Sequence, residues 1–198
     1  MSALEASQSR LKFNRFGLWL FFATEVAMFG GFLVLRFRLW GNTRPDFDQN
    51  LGLIVTSVLL ISSLFMNQAE VAISKGNRSW FMAGLAITGV LGLVFLAGVV
   101  LLEWGLVQVD FPWHHEAVPL RPSDGVFGSV FFLMTGMHAL HVLSGVAFIA
   151  IIWLKGRRGE FAPDSYWGVE VCAVYWHFVD VVWVFFYPAL YLIGTVAA

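Results

Sequence analysis

The stretch Tyr175-Trp176-His177-Phe178-Val179-Asp180-Val181-Val182-Trp183 sets two ionisable side chains inside an apolar run long enough to be a membrane-spanning helix. A helix advances about 100° and 1.5 Å per residue, so His177 and Asp180, three positions apart, share one face. An ionisable side chain at membrane depth costs on the order of 2.5 kcal/mol or more unless it turns inward and finds a partner. His177 and Asp180 therefore mark the protein-facing side of this helix, and their partners are expected on other helices.

Working outward, four more apolar runs meet the roughly 18-residue requirement for a span. The five expected helices are about 16–35, 51–69, 80–102, 126–154 and 169–194. None shows the alternating polar positions of an outer-membrane barrel. The predicted fold is an all-α integral membrane protein, a single-domain bundle of five transmembrane helices. Composition agrees: of 198 residues, 59% are hydrophobic and only 13% charged, and the mean hydropathy is +0.75. A net charge of -1 carries no nucleic-acid footprint, and the lone Cys172, read as a packing residue, excludes a disulfide within the chain. No short apolar segment with a cleavage site precedes the first run, so no removed signal peptide is expected.

Basic residues set the predicted orientation. Arg10, Lys12, Arg15, Lys75, Arg78, Lys155, Arg157 and Arg158 collect on one side, against Arg36, Arg38, Arg44 and Arg121 on the other. The positive-inside rule then places the amino terminus in the cytoplasm and the carboxyl terminus outside. On the outer side, the loop from Glu103 to Asp124 holds Trp113, His114, His115 and Glu116; the adjacent histidines read as solvated rather than metal-binding. Its last residues, Ser123 and Asp124, are ready N-caps for the fourth helix. Gly84, Thr88 and Gly92 form a small-residue stripe suited to close helix approach. Pro188 is expected to remove one backbone bond and kink the fifth helix near its outer end.

The polar residues at depth are few: Glu25; Glu70, Glu103 and Glu170 at helix ends; His138, His141, His177 and Asp180. At about 1.5 Å per residue, Glu25 lies roughly 14 Å and Asp180 roughly 16 Å from the cytoplasmic starts of their helices, and His141 roughly 20 Å from the cytoplasmic end of its own. The three can meet if the first, fourth and fifth helices adjoin. Burial favours the neutral form of a carboxyl that lacks a cationic or hydrogen-bonding partner. Glu25 is thus either a proton-associated, quinone-facing or lipid-facing acid, or a neutral acid in a helix contact. The histidines and Asp180 read as an interhelical hydrogen-bond network, a metal site, or axial haem ligands. The order His-x-x-His and His-x-x-Asp is not the Glu-x-x-His order of a di-iron bundle. The haem reading describes an independent b-type cytochrome. A secondary transporter is a further class, but internal repeats and paired broken helices are not seen.

Four segments resemble, in order and spacing, subunit III of haem-copper cytochrome c oxidases. They are Thr24-Glu25-Val26-Ala27-Met28-Phe29-Gly30-Gly31, Ser123-Asp124-Gly125-Val126-Phe127-Gly128-Ser129-Val130-Phe131-Phe132, Thr135-Gly136-Met137-His138-Ala139-Leu140-His141-Val142, and the opening stretch Tyr175 to Trp183. The resemblance implies a non-catalytic core subunit of a proton-pumping terminal oxidase in a bacterial cytoplasmic membrane. It would pack against subunit I, with subunit II nearby, the haems and copper lying in those partners; a larger respiratory supercomplex is a further candidate assembly. No cofactor, catalytic residue or metal ligand is then expected in this chain. By the same resemblance Glu25 matches a buried glutamate on a lipid-lined cleft that supports proton uptake. His138, His141, His177 and Asp180 match polar residues between helices, Glu170 matches at the start of the fifth helix, and Lys155 falls where a basic residue meets a phospholipid head group. Lys offers a point charge in place of a bidentate fork. Longer members carry two further amino-terminal helices; this sequence resembles the five-helix bacterial form. Subunit III of a quinol oxidase or of a nitric-oxide-reductase-type assembly is the neighbouring alternative.

Overall fold

The computed structural model describes residues 3–107 and 120–197, with side chains from residue 12 onward. Five helices follow one another: α1 (Ala3–Trp40), α2 (Gln49–Ser74), α3 (Arg78–Ala97), α4 (Gly125–Arg157) and α5 (Trp167–Tyr187). Helix α3 runs on as a π-helical turn, Gly98–Glu103, and α5 as another, Pro188–Leu192. All five are long and apolar enough to cross a membrane, the shortest spans having 26 residues. At about 1.5 Å per residue that length exceeds the roughly 30 Å hydrocarbon core.

The first four spans outrun the apolar runs that announced them, because backbone hydrogen bonding continues into polar flanks where hydropathy has already fallen. Helix α2 gains its first turn from Asp48, whose Oδ1 accepts from the amides of Asn50 at 2.9 Å and Leu51 at 3.1 Å. Helix α4 continues through Lys155 to Arg157, cations that suit a helix carboxyl end. The fifth span ends slightly early instead. Ile193 is extended, and Thr195–Val196 (β2) pairs in parallel with Thr43–Arg44 (β1), tying the carboxyl end to the loop after α1.

One local expectation needs correction. Asp124 occupies the N-cap position of α4 but does not cap it: its Oδ2 accepts from the backbone amide of Arg121 at 2.7 Å, closing the turn before the helix. At Pro188 the chain changes from α- to π-helical pairing, since proline has no amide hydrogen to continue the ladder.

Helices α2 and α4 each pack on both α3 and α5, α3 reaches α5 through side chains such as Phe95 against Trp183, and α1 leans on α4 and α5 from outside. In the most apolar part of each span, 50% of α5 is buried by the chain itself against 11% of α1. The small-residue stripe of α3 explains the tight α2–α3 contact. A Cβ on Gly84 would lie 2.9 Å from the Ala69 Cβ on α2, whereas one on Gly92 would lie 2.5 Å from the Trp176 ring of α5. Thr88 between them donates to its own helix at Gly84 O, 2.8 Å away, and is within 3.3 Å of Ser62 O on α2. Packing of this kind, rather than apolar burial, holds helices together in lipid.

Candidate functional site

The polar residues at depth do not form one constellation; three settings share them. The first is a seam between α2 and α5. The Trp176 indole donates to Ser62 Oγ at 3.0 Å, and the Trp183 indole donates to Thr56 Oγ1 at 2.9 Å. His177 Nδ1 lies 3.3 Å from Ser63 Oγ, and Asp180 is the electrostatic neighbour of both. Asp180 Oδ1 is buried without a protein partner. Ser62, Ser63 and Thr56 escaped the reading of the sequence, because a hydroxyl in a helix can always return its hydrogen to its own backbone. The available signal was periodic: Trp176 and Trp183 are seven residues apart, and their acceptors Ser62 and Thr56 are six apart on the facing helix, about two turns in each.

His138 occupies the second setting, alone. It is fully buried, stacks on Trp183 with centroids 4.8 Å apart, and meets the edge of Phe95 at 5.7 Å. Neither ring nitrogen has a protein hydrogen-bond partner, so His138 does not join the network expected of it. Its contribution here is aromatic packing between α3, α4 and α5.

The third setting lies where α1 meets α4. Glu25 Oε2 stands 3.0 Å from His141 Nε2, and each side chain is only 16% exposed. The other ring nitrogen, Nδ1, is 2.8 Å from the carbonyl of Met137, one turn earlier. A carbonyl can only accept, so Nδ1 carries a hydrogen and Nε2 is left to face the carboxyl. Two arrangements satisfy that contact: a neutral imidazole accepting from a protonated Glu25, or an imidazolium donating to a carboxylate. They differ by the position of one proton, and the pair is neutral overall in both.

Neighbouring groups hold this pair in place. Phe29 meets the His141 ring edge-on at 4.9 Å. Ser144 donates to His141 O at 2.8 Å, and its hydroxyl lies 2.6 Å from that of Tyr175 on α5. Thr24, the nearest polar residue in sequence, returns its hydrogen to Phe21 O at 2.7 Å and leaves Glu25 to His141.

The remaining candidates lie apart. Glu103 Oε2 accepts from Tyr191 Oη at 2.6 Å, linking the π-helical ends of α3 and α5. Glu70 and Glu170 are electrostatic neighbours where α2 ends and α5 begins. Lys155 is exposed in the last turn of α4. Trp113, His114, His115 and Glu116 fall outside the described residues. Among the described residues no three His, Cys, Asp or Glu side chains gather as a metal site. Arg36, read from sequence as an outer-side charge, is wholly buried within the first span. Its guanidinium donates to Gly41 O at 3.1 Å and to Ile193 O, and lies over the Trp40 ring.

Comparison with known proteins names the architecture. The sequence profile of cytochrome c oxidase subunit III matches residues 44–195, which include His138, His141, His177 and Asp180. The chain belongs to the cytochrome c oxidase subunit III family. It is similar to cytochrome c oxidase subunit 3 of Dugong dugon, 35% identical over 194 residues, covering 91% of this chain and 70% of that one. The corresponding proteins of Hippopotamus amphibius, at 36% identity, and Rhinoceros unicornis, at 35%, match over the same shares of both chains. A member of this family is an integral membrane subunit of an oxidoreductase complex, and works alongside other oxidase subunits.

Proposed function

We propose that this chain is the accessory subunit of a proton-pumping haem-copper oxidase that passes electrons from cytochrome c to dioxygen, in a bacterial cytoplasmic membrane with its amino end in the cytoplasm. It holds no redox centre of its own. It packs against subunit I, binds phospholipid along the α1 side and at Lys155, preserves the catalytic subunit through repeated turnover, and supports proton uptake. The observation that carries the proton role is the Glu25–His141 contact at 3.0 Å, with Nδ1 committed to Met137. Because either partner can hold the shared hydrogen, the pair can exchange it without creating net charge in a low-dielectric layer, which makes a proton at this depth tolerable.

Orientation is supported by Lys75, Arg78, Lys155, Arg157 and Arg158 at the α2–α3 and α4–α5 turns. At the same end Arg15 lies over the Trp167 ring, 5.3 Å from its centroid. Purification through a tag on this chain in mild detergent, with a reduced-minus-oxidised spectrum and identification of co-purifying subunits, tests the assignment. Haem-copper partners carrying all the haem absorbance are expected. Haem retained by the separated chain contradicts it, and a subunit II without binuclear copper ligands moves the complex to the quinol branch.

A further inference from the structure

The membrane surface carries a second feature, away from the α1–α4 face. A groove of about 290 Å³ runs between α3 and α4, bounded by Leu85, Gly89 and Leu93 on one side and Val146, Ala150 and Trp153 on the other. Small residues create it: at Gly89 an added Cβ would rest 3.6 Å from Ile149, and Ala150 leaves the facing wall equally low. From Leu85 to Leu93 it extends about 12 Å along the helix axis. No polar side chain lines it.

One end of the groove is cationic. The Arg157 guanidinium lies over the ring of Trp153, 5.0 Å from its centroid. Arg78, at the start of α3, donates to the Arg157 carbonyl at 2.8 Å, which brings a second guanidinium to the same end of α4. Both arginine side chains are exposed, whereas the nearby acid Glu160 lies 4.0 Å from Arg158. An apolar slot inside the membrane span, ending in two exposed guanidiniums and a tryptophan, has the polarity of an anionic lipid: hydrocarbon along the slot, phosphate at the arginines.

We propose that this groove seats one acyl chain of an anionic phospholipid whose phosphate is held by Arg78 and Arg157. The site differs from that of Lys155, which lies two residues from Trp153 and so about 200° away around α4. It requires only that the chain sits in a bilayer, and is independent of the Glu25–His141 pair; either proposal can fail without the other.

The test uses the full chain with its companion subunits in mild detergent, loaded with phosphatidylglycerol carrying a photoreactive acyl chain, or with phosphatidylcholine carrying the same group. Crosslinked peptides are mapped by mass spectrometry. Labelling of 85–93 and 146–153 is expected, severalfold stronger from phosphatidylglycerol. Arg78→Gln and Arg157→Gln should each weaken the phosphatidylglycerol label about fivefold, as expected for one basic residue near an anionic head group, and weaken the phosphatidylcholine label less, because its choline cation offsets the phosphate charge. Gly89→Leu should abolish labelling of both peptides. Equal labelling by the two lipids, indifference to both arginine variants, or crosslinks from this face to another polypeptide would overturn the proposal. The surface arginine variants keep the test decisive if Gly89→Leu fails to assemble.

Discussion

The α2–α5 seam and the α1–α4 face use similar polar residues to opposite ends. Along the seam two indoles donate to hydroxyls, at 3.0 Å from Trp176 and 2.9 Å from Trp183, and both rings are buried in the middle of the core. An indole N–H has one hydrogen and only donates, so neither indole contact can move a proton between states. On the α1–α4 face the contact joins two ionisable groups, and the helix that carries Glu25 is the least covered of the five. The difference separates polar groups that fix helix register from polar groups able to change protonation.

The largest effect is expected on the seam. Trp176→Ala removes a wholly buried ring from the packing of α2, α3 and α5, and should cost about 3–5 kcal/mol. Denaturant titration of helical ellipticity in detergent measures it, and wild-type stability would break the comparison from the structural side. Gly92→Ala comes next, at about 1–3 kcal/mol, because its Cβ would lie 2.5 Å from Trp176 and 2.9 Å from Val146. The expected signature is displacement of the Trp176 ring from its seat on α3, read as a lower midpoint in the same titration.

Ser62→Ala isolates the hydrogen bond from the packing. It strands the Trp176 indole and should cost about 0.6–2 kcal/mol, with tryptophan fluorescence reporting a changed indole environment. Asp180→Ala removes the carboxyl beside Ser63 and His177 and should loosen retention of this chain in the complex. Asp180→Asn keeps a hydrogen-bond acceptor and should largely restore it. Equal retention of both variants and wild type would remove Asp180 from the seam.

Much of the fold was legible because length and hydropathy are sufficient to declare a span, and they did so for all five helices. Ends were less legible, since hydropathy falls before backbone pairing stops, as at Lys155 to Arg157 and again at Trp167. Asp124 shows how one residue type serves two local geometries: the same carboxylate can cap a helix or close the turn before it. For the candidate site, helix depth brought Glu25, His141 and Asp180 to comparable levels. It could not select partners, because that depends on which helices adjoin and how each is rotated. The structure joins Glu25 to His141 and sets Asp180 beside Ser63. His138 has the sequence signature of its neighbour three residues on, yet faces Trp183 and Phe95; only rotation about α4 distinguishes the two.

The smallest expected change in stability belongs to Glu25→Gln, about 0.6 kcal/mol for one interhelical hydrogen bond. Glutamine can still bond to His141 but cannot take its proton. Proton uptake and the decay of activity over successive turnovers, measured on the purified complex with this variant, therefore test the central claim most directly. The account predicts that the subunit is retained while proton uptake slows or activity decays after fewer turnovers. Uptake and durability both equal to wild type would contradict it, leaving Glu25 and His141 as one more structural contact.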